Sequence, residues 1–151
     1  MATALGLVLF VVCLCIGYLA FRRVRLMRGG GVDLSLRRRP AVVARYASRD
    51  ASAGWHAGVA RYRGDELAWF RLTSFRPGAS LRLDRNELEI IDRREPADAE
   101  AYVMPSRSAV LRCRSHGVDV ELAMTPGVLT GFLAWLEAAP PGRSTGYRQA
   151  S

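Results

Sequence analysis

The sequence predicts a single N-terminal transmembrane helix joined to a mainly-β (α+β) domain that ends in one amphipathic helix. Three patterns carry that prediction. Residues 2–21 contain no charge. Between residues 55 and 124, apolar and polar residues alternate in short runs broken by turn residues. After Thr125 the apolar spacing changes to three and four, the repeat of a helix rather than a strand.

The uncharged run comes first. Twenty residues rising 1.5 Å each cover about 30 Å, the thickness of a bilayer's hydrocarbon. Eleven of the twenty are Leu, Ile, Val or Phe, and together they favour insertion by roughly 3–7 kcal/mol. Arg22, Arg23, Arg25 and Arg28 follow the run, whereas only the α-amine precedes it. A cleaved secretion signal has its cations in front and small residues behind. The order here predicts a retained anchor (residues 1–21), with a short N-terminus outside and the remainder in the cytoplasm. Tyr18 suits the interface at the basic end.

Residues 22–54 read as a basic juxtamembrane segment and flexible tether. "RGGGVD" (28–33) opens it, and "RRRPAVVARYASRDASAG" (37–54) continues it with proline and small residues; "AVVARY" (41–46) could add a strand. Taken as coil, residues 29–54 reach about 28 Å. The chain's excess charge lies here. Residues 22–49 hold nine arginines and one acid, while residues 50–151 hold thirteen of each. A nucleic-acid-binding domain would carry its basic surface on the folded part. Arginines beside a membrane instead suit anionic head groups, at about 1 kcal/mol each. The membrane-contact candidates are Arg22, Arg23, Arg25, Arg28, Arg37, Arg38 and Arg39.

The β domain begins at residue 55. "WHAGVARY" (55–62) and "LAWFRL" (67–72) flank "RGDE", and read as a hairpin. "SLRLD" (80–84) and "ELEIID" (87–92) read as a second hairpin, with Leu81, Leu83, Leu88 and Ile90 inward and Arg82, Glu87 and Glu89 outward. "AYVM" (101–104) reads as a short strand ended by Pro105. "AVLRCR" (109–114) and "VDVELAM" (118–124) form a third hairpin around "SHG". In its second strand Val118, Val120, Leu122 and Met124 alternate with Asp119 and Glu121, the pattern of a half-buried strand.

Thr125 then suits an N-cap and Pro126 the first helical position. Over 126–138, Leu129, Phe132, Leu133 and Leu136 form an apolar face that must dock on the sheet, and "AAPPG" (138–142) stops the helix. Six or seven antiparallel strands followed by one helix is the element order of a pleckstrin-homology-like (PH-like) barrel or sandwich. The domain spans 55–139, and the polar tail 140–151 is expected to be disordered.

Behind a short apolar N-terminus and its arginines, "GWHAGVARYRGDELAWFRL" (54–72), "ELEIIDRREP" (87–96) and "ELAMTPGVLTGFLAWLEAAPPG" (121–142) resemble an actinobacterial family of membrane proteins, domain of unknown function 2550. "RYRG" and "GFLAWLEA" are the most specific blocks. The resemblance implies a small single-pass or signal-anchored membrane protein of bacteria and supplies no catalytic residues. It also implies a link to the F-type ATP synthase or the envelope, because family members are often encoded beside the genes of that complex.

Chemistry-bearing motifs are sparse. His56 and His116 are too few and too far apart for a zinc site. Cys13 and Cys15 lie inside the apolar run, and Cys113 reads as a buried thiol. Asp92, Glu95, Asp98 and Glu100, interleaved with arginines, read as a solvated loop. No nucleophile elbow, P-loop or dinucleotide glycine motif occurs. No catalytic, cofactor or metal residue is therefore assigned, and no cofactor is expected. The expected function is a non-enzymatic, membrane-tethered binding or adaptor module. It would present its β domain to a protein partner at the cytoplasmic face of the bacterial inner membrane. The alternative is a sensor of anionic lipid head groups acting through Arg37–Arg39 and the β domain.

Overall fold

The structure, a computed structural model, describes residues 1–39 and 53–138. Its elements are α1 (Ala2–Arg28), β1 (Val32–Arg39), β2 (His56–Arg63), β3 (Glu66–Arg71), β4 (Leu81–Asp84), β5 (Glu89–Arg94), α2 (Asp98–Ala101), β6 (Ala109–Ser115), β7 (Val118–Met124) and α3 (Pro126–Glu137). The seven strands form one antiparallel sheet in the order β4-β3-β2-β1-β7-β6-β5. The sheet curls into a half-barrel around a core that includes Leu36, Trp69, Leu83, Leu122 and Phe132. α3 packs on it as its apolar face requires. Phe132 and Leu129 are buried, and Leu133 and Leu136 are half-buried against the same core. Trp135 Nε1–H ties the helix to the β2–β3 turn by donating to Gly64 O at 2.8 Å.

α1 is longer than the uncharged run. It continues without a break through Arg22–Arg28. From residue 3 to 28 it is long and apolar enough to cross a membrane, and no part of its apolar window is buried. The chain then reverses in the glycine triplet. Gly30 takes a φ of +79°, a conformation that costs a residue without Cβ little, and the Gly30 and Gly31 amides bond back to Met27 O and Leu26 O.

This reversal corrects the expected tether between residues 22 and 39. The glycines make a turn, and residues 32–39 form β1, paired to β2 on one side and β7 on the other. β1 is the middle strand of the sheet. Its sequence, VDLSLRRR, hides this, because arginine is uncommon in a buried strand. Residues 40–52 of the expected tether, including the 41–46 strand, lie outside the described residues, as does the tail from 140.

Four further expectations are corrected. Leu81–Asp84 and Glu89–Arg94 do not form a hairpin. A 3₁₀ turn at Arg85–Glu87 separates them, and they end on opposite edges of the sheet. A register shift follows Ile90 on this edge strand, and Ile90 and Ile91 are both exposed, so Ile90 is not buried as expected. Residues 101–104 are not a strand but the end of α2 and the turn after it. Glu100 and Glu121, read as solvent-facing, are each 2% exposed.

The buried acids follow from a covered outer face. On β2 and β3, Val59, Ala68 and Phe70 pack under Leu26 of α1. On β6 and β7, Val110 and Ala123 pack under Met104 and Trp55. Alternation therefore marks which residues face the barrel interior but not which are solvated. The β6–β7 turn is a two-residue connection with His116 at φ +49° and Gly117 at +76°, the geometry of the hairpin turn that needs two positive φ angles.

Candidate functional site

The docking of α1 gives the domain two distinct ends. Arg22 is 9% exposed, and its guanidinium donates to Arg71 O at 2.8 Å, Ser74 O at 2.7 Å and Arg76 O at 2.9 Å. One turn earlier, Tyr18 stacks on Phe75 with ring centroids 6.1 Å apart. The loop 72–80 is thus pinned beside helix residues 18–22. One turn later, Leu26 packs on Val59 and Phe70, and after the glycine reversal β1 runs back beside β2, with Leu36 opposite His56. The 72–80 loop, the end of β1 and the start of β2 therefore share the helix-docked end. The β2–β3 turn and α3 occupy the far end.

An open cleft of about 970 Å³ lies at the docked end. Leu36 and Trp69 are buried core residues on its wall, and Arg38, Arg71, Arg76 and His56 line it. Trp69 is fixed by donation from its indole N–H to Leu34 O at 2.9 Å, and lies over Gly58, where any Cβ would collide with the indole ring. Arg38 reaches Ser80 O at 3.1 Å, and Arg71 Nε donates to Thr73 Oγ1 at 3.0 Å. No acid lines the cleft among the described residues, and none of the three arginines forms an ion pair with a described residue. Burial and the charge of Arg71 lower the His56 pKa.

The seven sequence-predicted membrane-contact arginines separate. Arg22 is the loop clasp. Arg23 lies 3.5 Å from Asp33, and Arg25 and Arg28 are exposed on α1. Arg37 is buried between two carboxylates. It donates from Nε to Glu121 Oε2 at 2.7 Å and from Nη2 to Glu100 Oε1 at 3.0 Å, with its guanidinium 4.7 Å from the Trp55 ring. Arg39 bonds Glu121 at 3.1 Å. Only Arg38 of that triplet reaches the cleft. Arg71 and Arg76 were missed by the sequence reading, because nothing local distinguishes them from other strand and loop arginines.

Arg94 completes the buried network, with two bonds to Glu100 at 2.6 and 2.9 Å and one to Glu121 at 3.3 Å. Burial alone would raise the Glu100 pKa. Hydrogen bonds from Arg94, the Ala97 amide and Trp55 outweigh it and hold the carboxyl at about 2. Three guanidinium groups on two carboxylates leave no carboxyl free to act as a general acid or base near neutral pH. This cluster fastens α2 and the segment around it to β1 and β7. Cys113 is fully buried, and burial pushes its thiol up to about 12. Among the described residues no group of acids, histidines or cysteines could hold a metal ion. A second groove, about 990 Å³, opens at the far end between α3 (Leu129, Leu133) and the chain around Arg107.

Comparison with known proteins agrees with the sequence resemblance. The chain is 38% identical over 148 residues, 95% of each chain, to the uncharacterized protein Rv1312 of Mycobacterium tuberculosis. It is 36% identical over 148 residues, again 95% of each chain, to the uncharacterized protein ML1147 of Mycobacterium leprae. No solved structure matches. Residues 8–142 match the family model described as protein of unknown function (DUF2550), a stretch running from the apolar helix past the end of α3, and the chain belongs to that family.

Proposed function

We propose that this chain is a membrane-anchored, non-enzymatic binding module, with α1 retained in the bacterial cytoplasmic membrane and the half-barrel held against its cytoplasmic face. The observation that carries the reading is the clasp between α1 and the 72–80 loop. A removable leader would end where the folded domain begins. Here the apolar run passes without interruption into Arg22 and Leu26, which are packed parts of the domain. The arginines that follow the run support the cytoplasmic side.

A protein partner fits the far end. The groove beside α3 points away from the anchor and combines apolar helix residues with the exposed Arg107. The free edge of β5 fits less well, since its register shift is a device that protects edges from further pairing. Affinity purification of the full-length protein from native membranes in mild detergent tests this reading. A stoichiometric partner lost on substitution of the exposed groove residue Arg107 by Glu is the expected result. Recovery of the bare chain alone contradicts it. The second reading, recognition of anionic head groups, is favoured by the arginine cleft at the opposite end, which no described acid lines.

A further inference from the structure

We infer that the cleft formed by Arg38, Arg71 and Arg76 above Trp69 is a binding site for a phosphate group, presented by an anionic lipid of the surrounding leaflet. The assignment rests on the reading of α1 as an embedded anchor. Three arginines line one opening with no carboxylate among the described lining residues, a composition that favours an anion over any other ligand class. Guanidinium groups pair with phosphate oxygens through two parallel bonds. Ser80 and Thr73 already orient two of the three.

The lipid source follows from depth. Arg22 fixes the loop carrying Arg76 to the last turns of the apolar helix. At that level Tyr18 and the 57%-exposed Phe75 stack on each other, and aromatic side chains concentrate where hydrocarbon gives way to head groups. A loop held there by an aromatic pair places Arg71 and Arg76 in the phosphate layer. A soluble phosphate compound would have to reach a cleft facing the bilayer, whereas a lipid phosphate is already there. Arg37 takes no part, because its guanidinium is spent on Glu100 and Glu121.

Native mass spectrometry of the full-length protein, released from micelles with phosphatidylglycerol or phosphatidylcholine, tests the assignment, with glycerol 3-phosphate as the soluble arm. The expected result is retention of phosphatidylglycerol about tenfold over phosphatidylcholine, equivalent to about 1.4 kcal/mol, with little retention of glycerol 3-phosphate. R71Q/R76Q should abolish the preference, and R71K/R76K should keep part of it. The clasp survives both changes, because Arg22 binds main-chain carbonyls and not those side chains. Substituting the exposed Arg63 and Arg82, which removes equal charge elsewhere, should leave the lipid preference unchanged. Preference that survives R71Q/R76Q overturns the site, and so does equal retention of both lipids. Glycerol 3-phosphate bound without a lipid preference overturns the lipid source. Alkaline carbonate extraction of the same membranes reports the anchor separately. Release of the chain overturns the anchor reading and this assignment with it, whereas a retained chain lacking lipid preference overturns the cleft alone.

Discussion

Arg22 shows how one residue changes meaning when its partners are known. As the first cation after an apolar run it reads as a topology signal, and in the fold it also satisfies three carbonyls, one at the end of β3 and two in the loop after it. Removing it strands those acceptors, at about 1–3 kcal/mol for a buried group left unsatisfied. Arg22→Ala should therefore free the 72–80 loop from α1 and lower stability by roughly 2–4 kcal/mol. Limited proteolysis in detergent should show new cleavage within 72–80, and an unchanged digest would remove the clasp. Glu100 gives a second residue-level test. Its folded pKa of about 2 lies below the ordinary 4.5, so the fold favours the carboxylate. That contribution is complete above pH ~4.5 and is lost as pH falls toward ~2. Glu121, also held low against burial by Arg37, acts in the same sense. Thermal melting across that range should fall steeply in the wild type and less steeply in Glu100→Gln. Parallel curves would show that the network does not couple to folding.

At the scale of elements, α3 is the best-read part of the sequence. Its three-and-four spacing selects the face that packs, and Phe132 ends up with no exposed surface. Phe132→Asp forfeits about 3–5 kcal/mol of packing and buries an unpaired charge as well. Loss of the cooperative melting transition is the expected outcome, and an unshifted melt would mean that α3 is not docked. The first and third hairpins were equally legible, since their turn residues sit between alternating runs. The rest was hidden for specific reasons. β1 spells RRR because its outward arginines face carboxylates brought from β7 and α2, up to 84 residues away. β4 and β5 look like a hairpin because a short turn joins them, but curvature of the sheet sends them to opposite edges. Alternation also hides the covered outer face, as Glu121 shows. The candidate cleft was barely legible. Arg38 was singled out among the basic residues, but Arg71 and Arg76 become notable only when the loop is pinned beside α1.

At the scale of the whole molecule, the domain and its helix form one object with a definite polarity. Arg22 and Leu26 dock α1 on β2, β3 and the loop after them. β1 returns the chain toward the docked end, and α3 sits at the other. If α1 is embedded, the arginine cleft faces lipid and the α3 groove faces the cytoplasm, so one small fold can hold the membrane and a partner on opposite sides. A spin label at residue 75 of the full-length protein in lipid nanodiscs, read for collisions with oxygen against a water-soluble nickel reagent, tests this arrangement most directly. The label should report interfacial depth, oxygen-accessible and shielded from nickel, while a label at the exposed position 63, beside the β2–β3 turn, reports bulk water. Equal exposure of both positions to the nickel reagent would contradict it.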